Sequence, residues 1–110
     1  MDELHGLTVH GLAEQLRCAD GAGRLRAAVL LSELGDAAVA AVPGLIEALS
    51  ASDPDVRRLA AWALGFVGRG EPATRPALAR ALADADEAVR QAAAAALEAY
   101  EAPQARGRAA

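Results

Sequence analysis

Apolar side chains recur along this chain at helical spacing, in pairs of short segments separated by turn residues. In the middle of the chain, Val56, Ala60, Ala63, Leu64 and Val67 share one face of a helix predicted from Asp53 to about Val67. Asp53 is a suitable N-cap, and Pro54 takes the first helical position, where its missing N–H is not needed. Gly68-Arg69-Gly70 ends the segment. The preceding helical pattern starts at Asp36, a second candidate N-cap, and runs to about Ser50, with Leu45, Ile46 and Leu49 on one side. Pro43 interrupts it, so the helix either kinks there or restarts with proline in its first turn.

The same scheme stands on either side. Toward the C-terminus, Pro72 or Pro76 opens a helix ending near Ala83, Asp84-Ala85-Asp86 supplies a turn and cap, and a helix follows from about Glu87 to Tyr100. Toward the N-terminus the pattern is more degenerate. A helix from about Thr8 to Cys18 precedes the turn Asp20-Gly21-Ala22-Gly23, and a second helix runs to Leu34, closed by Gly35. The pairs are 33 residues apart: Pro43 and Pro76, Val56 and Val89, Arg57 and Arg90, and one step earlier Leu12 and Leu45, Asp20 and Asp53, Arg24 and Arg57, Leu31 and Leu64. A constant period of this length predicts helical hairpins stacked side by side, each too small to bury its apolar face alone. The expected organisation is an all-α repeat domain over residues 1–102, with units near 7–35, 36–70 and 71–102. Residues 103–110 lack periodicity and are expected to form a disordered tail.

Composition narrows the picture. The chain is 54% hydrophobic but only 3% aromatic, so alanine and leucine must fill the core, which suits closely approaching helices. A net charge of −4 with interspersed acids and arginines argues against nucleic acid, whose phosphates require clustered cations. No stretch approaches the roughly 18 consecutive apolar residues of a membrane span. The acidic start, Met1-Asp2-Glu3-Leu4-His5, lacks the basic opening of a secretory signal, and the single cysteine, Cys18, has no partner for an internal disulfide. These features predict a cytoplasmic protein. All eleven basic residues are arginine, which fits a GC-rich, bacterial coding sequence.

The run Asp53-Pro54-Asp55-Val56-Arg57-Arg58-Leu59-Ala60-Ala61-Trp62-Ala63-Leu64-Gly65 resembles the second helix of a HEAT repeat, closest to the short phycobilisome-lyase HEAT-like (EZ-type) repeats. Residues Asp86 to Leu97 match it again, and Pro76-Ala77-Leu78 with Leu82 resembles the preceding helix. The first unit departs from the pattern, with Gly23 at the valine position. The resemblance implies a right-handed α-α superhelix, a HEAT-like solenoid of three helical hairpins. It carries no single activity, because such repeats serve in adaptors, lyase subunits and scaffolds alike.

Trp62 lies nearly opposite the apolar face of its helix, flanked by Leu59 and Phe66, and the chain has no other tryptophan or phenylalanine. The equivalent positions are Arg26, Val29 and Glu33 in unit one and Ala92, Ala95 and Ala99 in unit three. Leu59, Trp62 and Phe66, rimmed by Arg58, Arg69, Arg26 and Glu33 and with Val29 at the Trp62 position of unit one, are therefore the candidate partner-binding surface on the concave face. Its binding residues are Leu59, Trp62, Phe66, Arg58, Arg69, Arg26 and Val29. The competing reading places Trp62 and Phe66 in grooves between adjacent second helices, as core.

Asp20, Asp53 and Asp86 with Arg24, Arg57 and Arg90 predict a ladder, each aspartate capping a helix and accepting from an arginine of its own or the next unit. His10 and Glu14 at i, i+4 find no further ligand in His5 or Cys18, so no metal site is expected. Cys18 lacks a paired base and is expected to be structural, and no glycine motif opens a helix to hold phosphate. The pattern thus points to a non-enzymatic scaffold or adaptor for a protein or peptide, without cofactor. The alternative is an accessory subunit of a bilin lyase-type complex. The alanine run Ala92–Ala96 leaves the last unit poorly covered, which suggests self-association or docking through that end.

Overall fold

A computed structural model describes residues 9–18 and 20–101. The predicted start at Thr8, His5 and the tail 103–110 lie outside the described residues, as do the side chains of Cys18 and Asp36. The described residues form six α-helices and one 3₁₀ segment: α1 Val9–Cys18, α2 Gly21–Leu34, the 3₁₀ segment Gly35–Ala41, α3 Val42–Ala48, α4 Pro54–Val67, α5 Thr74–Ala81 and α6 Glu87–Glu101. No strand occurs among them. They pair as three hairpins, α1/α2, α3/α4 and α5/α6, stacked into the all-α solenoid that the period predicts.

Local chemistry sets most boundaries. Asp20 Oδ1 accepts from the Gly23 N–H (2.8 Å) and Asp53 Oδ1 from the Asp55 N–H (2.9 Å), with Pro54 in the first turn of α4. Asp86 Oδ1 accepts from the N–H groups of Ala88 and Val89. Gly21 to Gly23, expected as a turn, instead form the first turn of α2, because the Asp20 cap starts the helix directly after itself. Gly35 closes α2 at φ 54°, in the left-handed region that glycine tolerates, and its N–H donates to the Leu31 carbonyl. Gly68 closes α4 for a different reason. Its φ is ordinary, but any Cβ would run into the Thr74 side chain, which is fully buried there.

Of the two outcomes expected at Pro43 the structure takes the restart. A 3₁₀ segment stands before it in place of the α-helical turns expected from Asp36, and the short α3 ends at Ala48 rather than Ser50. Pro43 has no N–H to continue an α-helical ladder through this stretch, so the chain restarts with proline in the first turn. Likewise α5 begins at Thr74, between the two prolines considered for its start, and ends two residues before Ala83.

The second helices α2, α4 and α6 pack against one another far more extensively than the first helices α1, α3 and α5 do. Tighter spacing in one layer curves the stack toward it, so the second helices line the inner face. The core is leucine, valine and alanine, with Leu16, Leu31, Leu45, Leu59, Leu64 and Leu78 among its largest buried side chains. Alanine allows close approach: a Cβ on Gly65 of α4 would stand 2.9 Å from the Ala96 Cα of α6.

The Asp/Arg ladder exists with a modified register. Arg24 reaches the next unit, 3.1 Å from both Asp53 Oδ2 and Asp55 Oδ2. Arg57 instead clasps Asp84 with two parallel bonds, Nε to Oδ2 (2.9 Å) and a terminal nitrogen to Oδ1 (3.1 Å). Asp86 is occupied with its cap, and Asp84 has no counterpart in the previous unit, where Ala51 stands. The remaining nitrogen of Arg57 donates to the Ala51 and Ser52 carbonyls, and Arg90 repeats this 33 residues on with Asp84 and Ala85. The arginine thus staples the loop before its own helix as well as the next unit.

The Arg57 guanidinium holds the Asp84 carboxyl below the usual carboxylate range against an opposing effect of burial, helped by the Asp86 N–H. Arg58, and more weakly Arg24, lower Asp55 in the same way, again against burial. A carboxyl whose folded pKa is depressed binds its proton more readily in the unfolded chain. Its contribution is therefore full above the unfolded pKa of about 4 and is lost as pH falls through the folded value. Thermal unfolding followed by circular dichroism should be insensitive to these two groups between neutrality and about pH 5 and should weaken below about pH 4. In Asp84→Asn the acid-induced fall should be shallower and the neutral-pH midpoint lower. An identical pH profile in that variant would remove Asp84 from the acid response.

Candidate functional site

Eight of the fourteen residues of α4 are buried, and four of the six left at its surface form a row at i, i+3 and i+4 spacing: Asp55, Arg58, Trp62 and Phe66, continued past the helix end by Arg69. Trp62 and Phe66 make an edge-to-face pair with ring centroids 5.2 Å apart and planes at 64°. Trp62 is half-buried and leans on the core, whereas Phe66 is 41% exposed, so one ring of the pair belongs partly to each of the two readings of the aromatic row. Beside them runs a cleft of about 70 Å³, lined by Trp62, Gly65, Phe66, Ala95, Ala96 and Ala99 and almost wholly apolar. Its floor is the alanine face of α6, which small side chains and the close approach at Gly65 bring up under the rings.

The charges around the row are partly spent. Arg58 donates to Asp55 Oδ1 at 2.6 Å, and Arg24 holds the other oxygen of that carboxylate. Arg69 is half-buried, and its Nε has no hydrogen-bond partner among the described residues. On α2, Val29 is half-buried at the register of Trp62, and Arg26 is exposed.

Leu59 is corrected. It is 2% exposed, part of the core, and offers no surface to a partner. The reason lies in the register. Ala96 of α6 faces back onto α4, so by the 33-residue period Ala63 of α4 faces back onto α2. Leu59 is one turn before Ala63 in this row, which the preceding unit covers. Arg26 is the same position in unit one, where no described element precedes it, and there it is exposed. Arg26 thus stands at the end of the stack rather than beside Trp62.

Two features of the face were not anticipated. Leu25 is 52% exposed at the register of Arg58, so an apolar pair, Leu25 and Val29, stands on α2 where Arg58 and Trp62 stand on α4. Stepping back 33 residues from Arg58 would have found it. The alanines of unit three, Ala95 and Ala99, are the cleft's floor rather than a bare end. A second hollow, about 110 Å³, opens on the outer layer between α3 and α5, lined by Ile46, Leu49, Ser50, Ala77, Arg80, Ala81 and Asp84. Its carboxylate is the one that Arg57 clasps.

His10 is exposed on α1, and Glu14 lies one turn further along the same helix. No group of three His, Cys, Asp or Glu side chains among the described residues could hold a metal ion. No helix among them is long and apolar enough to cross a membrane. The arrangement offers apolar contact area and a few charges, which suits binding by burial of a partner's apolar side chain. Residues 9–98 match the family model for HEAT repeats. No curated protein matches the chain.

Proposed function

Since the chain belongs to the HEAT-repeat family, whose members are in general scaffolds for protein interaction, we propose that it is a non-enzymatic adaptor that binds a protein or peptide on its inner face. The Phe66 ring carries this reading: a large aromatic side chain, 41% exposed, beside an apolar cleft that its own fold leaves unfilled. Trp62 backs the ring and fixes its orientation, Arg58 and Arg69 rim it, and Val29 extends the apolar surface toward α2. The resemblance to short lyase-type repeats supports an accessory role in an enzyme complex less well, because the cleft lacks polar groups to hold a substrate.

The test is affinity capture with the wild type beside Phe66→Ala and Trp62→Ala, each checked for helix content by circular dichroism. Truncating an aromatic anchor typically weakens binding by about 2 kcal/mol or more, roughly thirtyfold. A specific partner retained by the wild type should therefore be lost from a folded Phe66→Ala variant. Undiminished capture by that variant would move the site elsewhere.

A further inference from the structure

We propose that the N-terminal end of the stack is a self-association surface, on which two copies of this chain pair α2 against α2 in antiparallel fashion about a twofold axis beside Leu30. The row of α2 that faces away from the stack follows from the contact between Gly65 and Ala96. Ala96 faces back, so Ala63 and then Leu30 face back at successive steps of 33. Flanking Leu30 in the same row are Arg26, Glu33 and Leu34. The corresponding side chains of α4 near Ala63 are Leu59, Phe66 and Val67. Leu59 and Val67 are 2% and 1% exposed, while Phe66, the counterpart of Glu33, stays exposed at the edge of the row. The missing cover on α2 therefore shows at Leu34, 41% exposed, and at the half-buried Leu30. Helix α2 spreads its apolar side chains round its circumference instead of gathering them on one face as α4 and α6 do, so some of them lie away from the stack.

The charges identify the occupant. Arg26 and Glu33 are both exposed, and neither has an ion-pair partner among the described residues. They are about 10 Å apart along the helix, too far to pair with each other. They flank Leu30 almost symmetrically, one turn before it and one turn after. An antiparallel second copy centred on Leu30 places each Arg26 over the partner's Glu33, while Leu30 and Leu34 are covered by the same side chains of the other copy. A twofold interface must be self-complementary in this way. The opposite end is built differently: Glu98 stands on α6 where Gly65 stands on α4, so the close approach that joins units two and three meets an exposed carboxylate. Self-association therefore belongs to the first unit rather than the last.

Sedimentation equilibrium of the full chain over a wide concentration range tests this, with circular dichroism to confirm the fold of each variant. The wild type should pass reversibly from monomer to dimer. Arg26→Glu and Glu33→Arg should each weaken the dimer at least about tenfold, because each places like charges together, and the double reversal should restore it. Phe66→Ala, on the other surface, should dimerise as the wild type does. If a reversal disturbs the helix, the near-isosteric Glu33→Gln gives the same reading in milder form. A wild type that stays monomeric, a dimer indifferent to both reversals, or a double reversal that fails to recover would each overturn the proposal.

Discussion

Replacing Leu59 with alanine is expected to lower the unfolding free energy by about 2–5 kcal/mol, the range for large-to-small changes at fully enclosed aliphatic sites. Leu59 is 2% exposed and is one of seven leucines that, with alanine and valine, make up the buried core of the described residues. In a domain of this size each kcal/mol moves the melting temperature by roughly 4–8 °C, so the loss should be plain in a thermal scan. Phe66→Ala, at a ring 41% exposed, forfeits an aromatic pair worth about 0.5–1.5 kcal/mol and some surface burial, but leaves no enclosed void. The two variants thus separate fold from surface: one unfolds early, the other melts near the wild type. Comparable small losses in both would mean that Leu59 reaches solvent after all.

The contrast between those two residues shows what could be read from sequence and what could not. Period and punctuation were legible because each rests on local chemistry. Asp53 with Pro54 starts a helix wherever it stands, Pro43 breaks one, and Gly35 and Gly68 end theirs. The inward face of α4, from Val56 to Val67, was legible for the same reason, being set by contact with its own hairpin partner. Leu59 was not, because a solenoid helix touches three neighbours: its hairpin partner and the second helices before and after it. Angles measured against the partner alone leave Leu59 looking outward, although the preceding unit covers it. Phe66, two turns later in the row, escapes that cover.

The ladder shows the same boundary between local and non-local information. That Asp20, Asp53 and Asp86 cap helices follows from position, and all three do so. Which carboxylate each arginine takes depends on what the adjoining loop supplies. Asp84 occurs in the third unit and alanine in the second, so Arg57 and Arg24 find different partners from the same register. The period predicts that an ion pair joins the units; only the packed loops decide its members.

A second large effect is expected at Gly65, where the cleft and the core meet. An alanine Cβ there would stand 2.9 Å from the Ala96 Cα and 3.0 Å from its Cβ, and neither is the end of a flexible side chain that could swing aside. Helices α4 and α6 would have to separate. Overpacking of this kind costs about 1–3 kcal/mol, offset by the 0.5–1 kcal/mol, roughly, that alanine gains over glycine within a helix. Gly65→Ala should therefore lose up to about 2.5 kcal/mol net. Gly65→Val, with more volume and a β-branched side chain that fits helices less well, should lose about 3 kcal/mol or more. Gly70→Ala is the control, since nothing lies within 4 Å of its Cβ and its φ is not left-handed, so its urea midpoint should match the wild type or lie slightly above it. Equal midpoints for Gly65→Ala and Gly70→Ala would show that the two helices do not approach so closely. The separation also bears on binding, because the floor of the cleft is α6 itself. Unit one has Ser32 at this register and unit three has Glu98, so only the junction of units two and three can bring an alanine surface up beneath an aromatic pair. A folded Gly65→Ala chain should accordingly bind its partner more weakly than the wild type even though no rim residue has changed.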